Sequence, residues 1–148
     1  MDEATGRKLL DAYAAAWSDG DPDRLAACWA PDRFRFYKAE EVGRVFACWD
    51  EVVNYWRANA AMHEAVRLAF DELTPAPLDG GWSMLWCRMR WDIRFSAAAP
   101  PHLADRAMGG WNHVLALLHG DRLAGWSETP DAAITYVRAL YEDQARGV

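Results

Sequence analysis

The sequence is short of positive charge, of paired cysteine and of any long apolar run. Its 16 Lys and Arg stand against 22 Asp and Glu, for a formal net charge of -6. Nearly all of the positive charge is arginine, scattered along the chain. With no basic excess to meet phosphates, a nucleic-acid partner is disfavoured. Three cysteines (Cys28, Cys48, Cys87) are odd in number and lack CxxC spacing. They read as buried thiols in a reducing compartment, not as disulfides or zinc ligands. The first residues, MDEATGRKLL, hold no apolar signal core, and no run is long enough to span a bilayer. A soluble cytoplasmic protein with no membrane partner is expected. The four histidines are dispersed and there is no glycine loop for phosphates, so no metal and no cofactor is expected.

What is abundant is apolar surface. Hydrophobic residues make up 52% of 148 residues, and nine are Trp. That length and composition suit one domain, residues 1–148, with a single core. So many indoles fit either a core with a dimer face or an aromatic-lined cavity for an apolar ligand.

Leu9, Leu10, Tyr13 and Trp17 recur at helical spacing, which predicts a helix from about Thr5 to Ser18. Asp19-Gly20 ends it, and Asp21-Pro22 starts a second, short helix that stops before Pro31. Phe34, Phe36 and Val45 to Cys48 read as short strands. Asp50 can cap a third helix running to about Met62. Val66, Leu68 and Phe70 alternate with Arg67, Ala69 and Asp71 as a half-buried strand. PAPLDGG reads as a turn, Trp82–Phe95 as one long strand, and Ala97–Gly110 as a loop. Trp111–His119 and Arg122–Glu128 flank Gly120-Asp121 as a hairpin, followed by Thr129-Pro130-Asp131 opening an amphipathic helix. Helices followed by strands indicate an α+β fold. The expected form is a cone-shaped α+β barrel, with three N-terminal helices on a curved mixed or antiparallel sheet and a C-terminal helix.

This order, with AAWSDGDPDRLAACWAPD near the start and HGDRLAGWSETPD near the end, resembles the nuclear transport factor 2-like superfamily. The likeness is greatest to SnoaL-like and ketosteroid-isomerase-like proteins and covers nearly the whole chain. It implies a cone-shaped pocket and a homodimer packed through the sheet face, but no single chemistry. Against ketosteroid isomerases, Tyr13 matches the catalytic Tyr of the first helix, and Trp126-Ser127-Glu128 matches a final-strand Trp-Ser-Glu. The place of their oxyanion-hole Asp falls near His113, and Tyr37 holds the place of their general base. Against limonene-epoxide-hydrolase-like enzymes, Arg90-Trp91-Asp92 is similar to their Arg-x-Asp, and Asp131 takes the place of the water-activating Asp. The places of their water-holding Tyr and Asn fall on Arg35 and Tyr37. SnoaL-like cyclases use an Asp-His pair, which His113 with Asp92 or Asp131 could supply. His63 resembles the position of a catalytic His in dehydratase-like members.

Arg90 and Asp92 lie two apart on a strand and so share a face. If that face lines the cone, Arg90 orients Asp92 as acid or base. If it is the outer face, Arg88, Arg90, Asp92 and Arg94 form a solvated stripe, and Leu85, Cys87, Met89, Trp91, Ile93 and Phe95 are the core. The candidate catalytic set is Asp92, Arg90, His113, Tyr13, Tyr37 and Asp131, each with a structural role that would also account for it. The candidate substrate-binding set is Trp17, Trp56, His63, Trp86, Trp111 and Trp126. Together they suggest a cofactor-independent acid–base enzyme acting on a small apolar, oxygen-bearing molecule: an isomerase, cyclase, dehydratase or epoxide hydrolase. The alternative is a non-catalytic binding protein or dimeric scaffold of the same fold.

Overall fold

The computed structural model describes residues 1–146. Helix α1 spans Glu3–Ser18 and starts where the Asp2 carboxylate accepts from the Thr5 N–H at 2.8 Å. Its stripe of Leu9, Leu10, Tyr13 and Ala16 is buried, as helical spacing requires. Gly20 takes φ 61° just past its end. Helix α2 spans Pro22–Ala27, with the Asp21 side chain accepting from two backbone N–H groups and Pro22 in the first turn. Next come strand β1 (Phe36–Lys38) and helix α3 (Trp49–Met62), then strands β2 (His63–Pro77), β3 (Trp82–Phe95), β4 (Ala107–His119) and β5 (Arg122–Pro130). Helix α4 begins at Asp131 and runs to Arg146.

The five strands form one sheet in the order β1-β5-β4-β3-β2. β1 runs parallel to β5, and the other pairings are antiparallel. The architecture is α+β, as expected, but the sheet is open: β1 and β2 are its two edges, so it curves without closing into a barrel. Its inner face and the helices enclose the core, where Trp29, Trp56, Trp126, Tyr13 and Tyr37 are the largest fully buried side chains. Among the described residues no helix is long and apolar enough to cross a membrane.

Several boundaries differ from the sequence reading, for identifiable reasons. β2 runs through Pro75 to Pro77, where PAPLDGG reads as a turn. β2 is an edge strand, so a proline there need not remove a ladder bond. β4 begins at Ala107 rather than Trp111, taking in Gly109 and Gly110. Both glycines are places of close approach. A Cβ on Gly109 would lie 2.4 Å from Asp92 Oδ1, and one on Gly110 would lie 3.1 Å from the Trp91 ring. The expected strand Val45–Cys48 is reduced to a single bridge between Phe46 and Tyr37. The cap of α3 falls at Cys48, which makes no side-chain bond, and Asp50 sits inside the first turn, where the helix dipole favours an acid. Cys28 and Cys87 are buried thiols, but Cys48 is exposed.

Candidate functional site

Along β3, Leu85, Cys87 and Met89 are buried, while Trp86, Arg88 and Arg90, which alternate with them, are partly exposed. The apolar set is therefore the inner one. Its outer half lines a cavity of about 390 Å³ between the sheet, α1, α3 and the loop after β3, within the range of small-ligand sites. Met89, Trp91, Ile93 and Phe95 form one wall, Val66 and Leu68 of β2 extend it, and Leu103 and Met108 lie at its margin.

The polar groups come from elements that alternate correctly. On β5, Trp126 is fully buried, so Glu128, two residues on, also points inward. Its carboxylate accepts from the Trp126 indole N–H at 2.6 Å, from Asn112 Nδ2 at 3.1 Å and from the Glu40 backbone N–H at 3.2 Å. Asn112 lies opposite Pro130 in the ladder, which makes Glu128 its diagonal neighbour. Burial pushes the Glu128 carboxyl up to about 7, against the hydrogen bonds, which pull it down. Glu40 and Glu41 nearby add to the rise. Around it stand the phenols of Tyr13, Tyr37 and Tyr55, all held well above the ordinary phenol range by burial. Tyr55 also donates to Glu41. His63 lines the cavity, with burial lowering its pKa and a buried Nδ1 that has no partner.

The sequence candidates divide sharply. Tyr13, Tyr37, Trp17 and His63 line the cavity. Trp126 stands behind it, its ring 5.0 Å from Tyr13. Trp56 is fully buried between Trp29, Tyr37 and Trp49 and does not reach the lining. Arg90 and Asp92, for which the sequence leaves both faces of the sheet open, take the outer one. They form a 2.8 Å ion pair on the opposite face of the sheet, with side chains 42% and 48% exposed. Trp91 between them is the inward residue, so strand alternation sends both charges out. The Arg90 guanidinium holds Asp92 below its usual range.

The outer face also carries His113. Its Nε2 lies 2.9 Å from Asp131 Oδ1 at the start of α4, and its ring lies 5.5 Å from Trp86. Trp111 lies beneath Arg88, whose guanidinium carbon is 4.6 Å from the ring centroid. The Asp-His pair thus exists, but it ties α4 to the back of the sheet, where Trp86 and Trp111 also lie. Glu128, Asn112, Glu40, Glu41 and Tyr55 were not among the candidates. For Glu128 the signal was present in Trp126-Ser127-Glu128: an inward Trp at one position makes an inward Glu two later.

No family model matches the sequence, and no curated protein matches it. Solved structures do match. A candidate aromatic ring hydroxylase from Novosphingobium aromaticivorans is 11% identical with a TM-score of 0.74, covering 88% of this chain and 89% of that one. A candidate dehydratase of the nuclear transport factor 2-like family from Streptomyces avermitilis is 13% identical with a TM-score of 0.72, covering 87% and 96%. A hypothetical protein from Catenulispora acidiphila, with a ketosteroid isomerase-like fold and in complex with trimethylamine, is 16% identical with a TM-score of 0.59, covering 82% and 84%. At these identities the likeness is one of architecture. The open curved sheet, with α1, α2 and α3 packed on it around a half-open cavity, is the nuclear transport factor 2-like fold.

Proposed function

We propose that the protein is a cofactor-independent acid–base enzyme acting on a small, apolar, oxygen-bearing molecule, with Glu128 as the proton-transferring group. One observation carries this reading: a buried carboxyl, held by three hydrogen-bond donors and pushed up to about 7 by burial, lines a largely apolar cavity. A base works best when its pKa lies near the working pH. Asn112, Trp126 and the Glu40 N–H hold the carboxylate in one orientation. That orientation lets it take a proton from a substrate seated against Trp91 and Met89. The Tyr13 and Tyr37 hydroxyls, raised far above neutral and so protonated, can donate to an oxygen that gains charge as the proton leaves. Isomerisation, cyclisation, dehydration and epoxide opening all use this pairing of one base with one or two donors.

On the outer face, Met84 and Leu115 are exposed beside Trp86 and Trp111. This surface supports association of two copies through the sheet face, which leaves both cavities facing away from the contact.

The test is turnover of a panel of apolar ketones, β-hydroxy ketones and epoxides at pH 7.5, followed by deuterium incorporation and product mass. The expected result is turnover by the wild type that Glu128→Gln abolishes. Turnover that survives Glu128→Gln would overturn the assignment. Tight binding across the panel with no turnover would favour the non-catalytic binding protein.

A further inference from the structure

The three donors on Glu128 are held in different ways. Trp126 and Asn112 belong to β5 and β4, where the strand ladder fixes them. The Glu40 N–H comes instead from the irregular residues 39–48, between β1 and α3. That loop turns back through a bond from the Val42 N–H to the Ala39 carbonyl at 3.3 Å. Its return limb meets β1 only at the bridge between Phe46 and Tyr37. A backbone N–H on such a loop is free to wander unless side chains fix it.

Two side-chain clasps do so, both to α3. The Tyr55 phenol donates to the carboxylate of Glu41, the residue next to Glu40. One helical turn earlier, Glu51 accepts from Arg44 at 2.7 and 3.3 Å. The clasps differ in setting. The Arg44–Glu51 pair is solvated, with side chains 60% and 39% exposed, and such a pair contributes little. Tyr55 is packed, its ring 5.6 Å from Tyr37 and 5.6 Å from Phe46, and it lines the cavity. A hydroxyl bonded to a carboxylate is among the stronger hydrogen bonds. This one anchors the chain one residue from the N–H that reaches Glu128. It also commits the Tyr55 proton to Glu41 and away from a substrate.

We propose that Tyr55 is a positioning residue: by holding Glu41 it seats the loop so that the Glu40 N–H stays on the Glu128 carboxylate. This rests on the reading of Glu128 as the proton-transferring group and gives that group a support outside the sheet. A hydrogen bond to the ionised form favours it, and the Glu40 N–H pulls the Glu128 pKa down. Loss of the clasp therefore raises the Glu128 midpoint. The same loop brings charge, since the Glu41 and Glu40 carboxylates push that midpoint up. From the other elements Tyr13 of α1, Tyr37 of β1 and Tyr55 of α3 face Glu128, and His63 of β2 also lines the cavity.

Substitutions at Glu41, an exposed position, separate the clasp from the charge. Glu41→Gln and Glu41→Leu both remove the charge, and only Gln keeps an acceptor for Tyr55. The Glu128 carboxyl ¹³C shift and the Glu40 amide shift, followed from pH 4 to pH 9 in the isotope-labelled protein, read both ends of the bond. In the wild type the Glu40 amide is expected to show a step at the Glu128 midpoint, which Glu128→Gln removes. Glu41→Gln should keep that step. Glu41→Leu and Tyr55→Phe should each cut it by about half or more, and Glu128 should titrate about 0.5–1 pH unit higher in Glu41→Leu than in Glu41→Gln. Equal midpoints and equal amide steps in the two Glu41 variants, or a Tyr55→Phe variant that titrates like the wild type, would overturn the positioning role and leave the acid–base reading standing. A wild-type Glu40 amide indifferent to the Glu128 titration would overturn it too. Turnover that survives Glu128→Gln would overturn the acid–base reading alone, because the shifts report the clasp without any turnover.

Discussion

Trp126 and Glu128 stand two residues apart on one inward strand face, and the indole N–H of the first donates to the carboxylate of the second at 2.6 Å. That contact turns a buried acid, otherwise costly in the core, into an oriented group. Burial still dominates, so the carboxyl stays near 7 rather than in the usual carboxylate range.

A raised folded-state pKa has a definite sign in stability. The folded protein holds the Glu128 proton more tightly than the unfolded chain does. Its stabilising contribution is therefore complete below the unfolded value of 4.5 and is lost as pH rises to about 7. Glu40 shifts in the same direction and His63 in the opposite one, while Tyr13, Tyr37 and Tyr55 stay protonated throughout. Comparison with Glu128→Gln separates the Glu128 part. The wild type should lose stability relative to the variant between pH 5 and pH 8, by on the order of 1–3 kcal/mol. Thermal unfolding across that range measures it.

Removing a hydroxyl from the lining tests the proton donors. Tyr13→Phe and Tyr37→Phe keep rings that are core in either case, so each should change stability by only about 0.5–1.5 kcal/mol. If these phenols stabilise a developing oxyanion, turnover should drop by roughly 10²-fold or more in at least one of them. Equal turnover in both variants and the wild type would remove them from the chemistry.

The ion pair on the opposite face gives the complementary control. Asp92→Asn and Arg90→Gln should leave affinity for a cavity ligand within about twofold of wild type, as expected of distant independent sites. Either variant altering cavity affinity by a large factor would show that the two faces are coupled.

Gly110 is a place where backbone and indole nearly touch. A methyl there would press on the Trp91 ring at 3.1–3.3 Å. Gly110→Ala is expected to shift Trp91 towards the cavity, change its fluorescence, and weaken a bound ligand several-fold. Unchanged emission and affinity would place the relief elsewhere.

The outer-face contact is tested by mass in solution. Sedimentation is expected to give a dimer for the wild type and a monomer for Leu115→Arg, whose site is 43% exposed. A monomeric wild type would contradict the proposed pairing of copies.

The extent to which the fold was legible follows from periodicity. Trp82–Phe95 is a long uninterrupted alternation and was read to the residue; α1 carries a clear 3.6-residue stripe. Asp21-Pro22 states its own cap. What failed were places where tertiary context outweighs local composition. Pro75 and Pro77 look like a turn until β2 is known to be an edge. Gly109-Gly110 looks like a loop until Asp92 and Trp91 of the neighbouring strand are seen lying across it.

The site was half legible. Helix phase and family likeness agree on Tyr13, helix phase alone points to Trp17, and family likeness alone points to Tyr37 and His63. Arg90 and Asp92 attracted notice as charges in an apolar strand, and the same alternation that put the apolar set inside put them outside. Glu40 and Glu41 precede α3 in an irregular stretch with no period to orient them. Asn112 was hidden beside His113, the more conspicuous titratable group and the one that faces out.

Everything here turns on the state of one carboxyl. The ¹³C chemical shift of the Glu128 side-chain carboxyl, assigned by comparison with Glu128→Gln, can be followed from pH 4 to pH 9. A midpoint near 7 is predicted. A midpoint at or below the ordinary glutamate value would place that carboxyl in water and contradict the account.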